Sequence, residues 1–241
     1  MALPKYSAAH DSNKDVLPHF VPASRLGRAR LAALLLIFVT LALVYREQSG
    51  FLLSRTPAFW NYALYSPREG DVVFQSLPHG ELVDAIEGVT HSPFSHCGVV
   101  LRNDAGKWVV IESIGTVHET PLFQWIFRGR GGSLEAYRLA DKDASFIPAF
   151  KKALLGYSGY SYDFDYDMAH AKDCVYCSDL VFLAFKQASG EPMGTLQRLG
   201  DLDWKGHRDF IRAEANGTLP LDRVMITPAS LARATQLHRA Y

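Results

Sequence analysis

The chain has 241 residues, 48% hydrophobic and 21% charged, with 25 basic side chains against 25 acidic ones. That length admits one domain of up to about 200 residues with an appendage, and the composition excludes a disordered chain, a collagen-like repeat and a multi-span membrane protein. Charge neutrality argues against binding by phosphate neutralisation, so no nucleic-acid partner is expected.

Charge is spread unevenly. Residues 1–50 hold six basic side chains, Lys5, Lys14, Arg25, Arg28, Arg30 and Arg46, against Asp11, Asp15 and Glu47. Residues 1–25 mix Pro, Ser, Asn, Asp and Lys without periodicity and read as a flexible basic tail. The run from Leu31 to Tyr45 then carries no charge, Gly or Pro. A comfortable bilayer span takes about 20 residues. Extension through Leu26 and snorkelling of Arg28 and Arg30 make residues 26–46 a single membrane anchor. Leu43-Val-Tyr-Arg-Glu47 supplies no small-x-small cleavage site, which favours an uncleaved anchor over a removed signal peptide. Basic residues precede the run and only Arg46 follows it closely. The positive-inside rule therefore puts the tail in the cytoplasm and the body on the far side, periplasmic in a Gram-negative host. Residues 47–65 read as a tether.

In the body, Asp71-Val-Val-Phe74 after Gly70 predicts a short buried strand. His96 to Leu101 and Trp108 to Glu112, joined by the polar turn Asn103-Asp-Ala-Gly106, predict a hairpin. Pro121 to Phe127 predicts a short helix, Leu134 to Leu139 a strand, and Phe146 to Leu155 a helix ended by Gly156. The strongest helical pattern runs from Cys177 to Ala188, with Val181, Ala184, Phe185 and Ala188 sharing a face with Cys177. Helices and a mostly antiparallel sheet that do not strictly alternate define an α+β class.

The three cysteines are Cys97, Cys174 and Cys177. Cys177 opens the long helix, where unpaired N–H groups and the helix dipole lower a thiol's pKa. A cysteine nucleophile needs a base, and the base an orienting group. His96 starts one hairpin strand, and Glu112 interrupts the apolar run of the other with a charge that calls for a partner. Counted outward from the turn, the two fall roughly opposite each other, within reach across an antiparallel pair. Cys97 follows His96 and so points to the opposite face, into the core. Cys174 stands in Cys-x-x-Cys spacing with Cys177 and is a candidate redox partner. Zinc would need two more ligands from a second motif that is absent. Asp163-Phe-Asp-Tyr-Asp167 imitates a calcium loop but has Met168 and Cys174 where Gly and Glu belong. No metal and no cofactor are expected.

Gly70-Asp-Val-Val-Phe74, Thr90 to Val100, Val110-Ile-Glu-Ser113, Leu122 to Ile126 with Arg128-Gly129, Tyr162-Asp163 and Tyr176-Cys-Ser-Asp-Leu-Val181 together resemble the YiiX/YebB-like group of NlpC/P60 cysteine hydrolases. These are papain-like enzymes of circularly permuted order, in which the His strand precedes the Cys helix, and here His96 comes 81 residues before Cys177. The resemblance covers about residues 66–190 and leaves 191–241 as a C-terminal extension packing on the core. It implies Cys177 as nucleophile, His96 as base and Glu112 as the third polar member, with Tyr176, Tyr162 and Ser178 as candidates for positioning substrate or oxyanion. The implied reaction is hydrolysis of an amide bond, peptide or cell-wall peptide, through an acyl-enzyme. The same residues also fit a lipid acyl hydrolase or acyltransferase, or a binding module that kept the fold. The expected partners are thus a peptide or lipid amide or acyl substrate, and the membrane through residues 26–46.

Overall fold

The structure is a computed structural model that describes residues 36, 56–168 and 173–241. The expected flexible tail and nearly all of the expected anchor lie outside the described residues. Among the described residues no helix is long and apolar enough to cross a membrane. Of the segment read as a tether, residues 56–64 are helical, with Ala58 fully buried and Tyr65 nearly so.

The frame is an antiparallel sheet. Its strands are β1 (Val72–Gln75), β2 (His96–Arg102), β3 (Trp108–Ile114), β4 (Thr116–Pro121), β5 (Glu135–Leu139) and β8 (Leu237–Arg239), in the order β4-β3-β2-β1-β5-β8. A separate ribbon pairs β6 (Gln197–Arg198) with β7 (Val224–Met225). The helices are α1 (Glu81–Thr90), α2 (Leu122–Arg128), α3 (Ile147–Gly156), α4 (Cys177–Ser189), α5 (Arg208–Glu214) and α6 (Pro228–Ala232).

Strand alternation sends the two sides of the sheet into two cores. Val99, Leu101, Val109 and Ile111 face one side, where Phe150 and Leu154 of α3 and Leu180, Val181 and Phe185 of α4 cover them. Val73, Val100, Val110 and Ala136 face the other, against Ala58 and α2's Leu122, Trp125 and Ile126. At about 25 cal/mol per Å² of apolar surface removed from water, these two cores supply the main drive to fold. The expected α+β class stands, with helices on both faces of an antiparallel sheet. β8 pairs with β5 at the sheet's edge, so the C-terminal residues complete the main sheet as well as packing on the core.

One buried polar joint ties the helical stretch 56–64 to the sheet. Asp71, fully buried, accepts hydrogen bonds from the Tyr65 hydroxyl at 2.8 Å, the Arg68 N–H and the Arg138 guanidinium. A buried carboxylate with that many donors is compensated for its lost hydration.

Candidate active site

β2 and β3 place the first two groups. The register pairs Val99 with Ile111 and Val100 with Val110, so one step further Glu112 stands opposite Gly98, not opposite His96. The two were expected to fall roughly opposite each other, and the register sets them two residues apart along the pair. His96 and Glu112 nevertheless share a face, and Gly98 between them explains how they meet. A Cβ at Gly98 would lie 2.5 Å from Val110 and 3.2 Å from the Glu112 Cβ, so glycine leaves the room through which Glu112 leans diagonally to His96. His96 Nε2 and Glu112 Oε2 are 2.5 Å apart, with the two side chains 3% and 0% exposed.

The carboxylate is held from three directions. Besides His96, Thr120 of β4 donates to Oε1 at 2.5 Å, and the Arg128 guanidinium at the end of α2 donates to Oε2. Burial raises the Glu112 pKa, but His96 and then Arg128 outweigh it and hold the carboxyl down at about 2. Trp125 of α2 lies beside the imidazole, ring centroids 6.3 Å apart. Thr120 and Arg128 were missed as site residues. Arg128 stands out only as a cation beside a glycine-rich turn, and nothing local marks Thr120.

Cys177 is the first residue of α4, and no side chain caps that helix end. Its thiol is 2% exposed and interacts with both His96 and Cys97. A hydrogen bond from the Cys97 thiol, then the charge and hydrogen bond of His96 and the Cys97 backbone N–H, hold the Cys177 pKa well below its usual value despite burial. On His96, burial opposes protonation, but the Cys177 thiolate and then Glu112 lift the imidazole to about 9. The favoured state is thus a thiolate–imidazolium pair. With Nε2 committed to Glu112, Nδ1 is the nitrogen left for sulfur.

Cys97 does point into the core, away from the His96 face, and that core is where α4 brings Cys177. Burial and the hydrogen bond to Cys177 push its own pKa well up, so it stays a thiol and donates. Cys97 thus brings a second sulfur against Cys177. Cys174 is half-buried, and its backbone bridges to Ser161.

The Tyr176 hydroxyl accepts the Ile226 N–H at 2.9 Å, and Ser178 Oγ donates to the Ile226 carbonyl at 2.9 Å. Both side chains thus pin the strand leaving β7 against α4. Tyr162 has a different place. It lines the cavity that contains Cys177 and the neighbouring one that contains His96, and its pKa is raised by burial and then by the Cys177 charge. Among the described residues no group of three or more His, Cys, Asp or Glu is arranged to hold a metal.

A buried acid–imidazole–thiol chain on an antiparallel sheet, with the His strand ahead of the Cys helix, defines the class of permuted papain-like thiol enzymes. The chain belongs to the permuted papain-like amidase family YaeF/YiiX, C92, whose family model matches residues 66–241. That match runs past residue 190, through the segment read as an extension. The chain is 29% identical over 194 residues to "Uncharacterized protein YiiX" of Escherichia coli (strain K12), covering 77% of this chain and 90% of that protein. It also resembles the crystal structure of YiiX from Escherichia coli O157:H7, there described as a metalloprotein. The TM-score is 0.67 at 27% identity, over 73% of this chain and 98% of that one.

Proposed function

We propose that this enzyme is a thiol amidase in which Cys177 is the nucleophile, His96 the general base and acid, and Glu112 the group that orients and charges His96. The observation that carries this reading is the continuous contact Glu112–His96–Cys177, buried and biased toward thiolate and imidazolium.

The thiolate attacks the carbonyl carbon of the scissile amide, and the electron pair moves onto oxygen. The uncapped N–H groups of α4 are donors for that oxyanion, and Tyr162, which lines the cavity at Cys177, is a further candidate. Collapse breaks the C–N bond, and the amine leaves with the His96 proton. Water then attacks the thioester as His96 takes its proton, the C–S bond breaks, and the acid departs. The substrate is a peptide or a lipid amide. The apolar run 31–45 further supports holding this chemistry at a membrane; alkaline carbonate washing of membranes should then leave the full chain in the pellet.

The test is incubation with cell-wall peptides and with lipid amides, followed by mass spectrometry of products and of the protein. An acyl adduct on Cys177, absent from Cys177→Ala, supports the reading. Turnover undiminished in Cys177→Ala removes it.

A further inference from the structure

The helix at residues 56–64 is turned inside out. A surface helix ordinarily buries its apolar stripe and shows its polar face to water. This one, Thr56-Pro-Ala-Phe-Trp-Asn-Tyr-Ala-Leu64, has no charged residue and faces its small and polar side chains inward. Ala58 is fully buried in the room that a Cβ on Gly132 would take. The Asn61 amide donates to the Gly132 carbonyl at 2.7 Å and accepts the Tyr241 hydroxyl at 2.9 Å. With Tyr65 bonded to Asp71, these contacts fix the helix against the sheet. Its large side chains point outward instead, with Phe59, Trp60, Tyr62 and Leu64 between 45% and 65% exposed.

α2 widens the same patch. Phe123, also exposed, meets the Tyr62 ring edge-on at 5.5 Å between centroids and lies against Phe127 at 4.3 Å. Apolar residues scattered singly over a surface are ordinary, whereas a contiguous patch held in place marks a contact surface.

Composition and position name what covers it. Trp and Tyr pair an apolar ring with a polar tip, the chemistry of the belt at a membrane–water boundary. The uncharged run from Leu31 ends at Tyr45, so ten residues, 46–55, separate it from Thr56. Ten residues reach at most about 35 Å, which keeps the patch within a short distance of any bilayer that run enters. Within those ten, Phe51-Leu-Leu53 is apolar again.

We propose that the exposed face of residues 59–64, with Phe123, rests in the headgroup boundary of the bilayer and so lays the catalytic body on the membrane surface. The proposal rests on the run 31–45 lying in that bilayer. α2, which supplies Phe123, also carries Trp125 beside His96 and Arg128 on Glu112, so the contact face is built partly on the helix that backs the triad. Apolar faces of interfacial helices sit about 5–10 Å into the boundary, deep enough for Trp60 to meet acyl chains.

The test uses the full chain reconstituted in phosphatidylcholine vesicles whose acyl chains are brominated or plain, since bromine quenches a tryptophan that it touches. Subtracting Trp60→Phe isolates the emission of Trp60, which bromination should at least halve. Leu64→Glu and Phe123→Glu, both at exposed positions, should each restore most of that emission. Melting temperature reports that each variant folds, and alkaline carbonate washing reports whether the run still holds the chain. In carbonate-resistant protein, a Trp60 untouched by bromine overturns the face and leaves the anchor standing. A second copy of the chain covering the patch gives that same result. Quenching unmoved in both Glu variants also overturns the face, because nearness through residues 46–55 then accounts for it. Release by carbonate with Trp60 unquenched defeats anchor and face together, whereas release with quenching that both Glu variants relieve defeats the anchor alone.

Discussion

Asp179 sits two residues after Cys177 in the first turn of α4, fully buried, and among the described residues neither carboxylate oxygen has a hydrogen-bond partner. An acid in a helix's first turn ordinarily stabilises it. Here burial, then Asp163, then the Cys177 charge push the carboxyl from 3.8 up to about 7. Between roughly pH 4 and 7 the folded protein keeps a proton that the unfolded chain gives up, so this group's contribution falls as pH rises through that window. Three pKa units at 1.36 kcal/mol each give about 4 kcal/mol lost between pH 4 and 8. Asp179→Asn has nearly the same shape and no charge. It should match the wild type at pH 4 and exceed its stability by about 2–4 kcal/mol at pH 8. Urea unfolding at pH 4, 5.5, 7 and 8 measures this, and subtracting the two proteins removes the titrations of groups that do not interact with Asp179. A difference between variant and wild type that stays constant across those pH values would refute the reasoning.

Glu112→Gln leaves both the imidazole and Arg128 without their counter-charge, so kcat/KM should fall by about 10²- to 10⁴-fold. The alkylation midpoint of Cys177 should rise in the same variant, and a merely structural loss would leave that midpoint in place. Gly98→Ala forces a Cβ to 2.5 Å from Val110 and 2.8 Å from the Ile111 carbonyl. It should cost about 1–3 kcal/mol, read as a melting temperature lower by roughly 2–10 °C. An unchanged melt would show that the strand pair has more room than the geometry implies.

The hairpin and the Cys helix were readable because their burial follows a local period, two in β2 and β3 and nearly four in α4. α1 carried the same kind of signal, with Leu82, Ala85, Ile86 and Val89 at helical spacing, and was overlooked beside a stronger neighbour. β4 was hidden because Thr116–Pro121 is mostly polar, buries only Val117 and Thr120, and stands at the sheet's edge. The exact meeting of His96 with Glu112 was beyond sequence reading, since register depends on how many residues the turn between Arg102 and Trp108 consumes. The contact of Cys97 with Cys177 depends on which face of the sheet α4 covers, a tertiary choice no local pattern encodes. β8 lies far along the chain from its partner β5 and gives only three residues of signal.

The most direct test is the rate of Cys177 alkylation by iodoacetamide across pH, read by mass spectrometry of the Cys177 peptide. A thiolate held by Cys97 and His96 keeps reacting well below the midpoint near 8.5 of an ordinary thiol, and His96→Ala raises that midpoint. A wild-type midpoint at or above 8.5, unmoved by His96→Ala, would contradict the account.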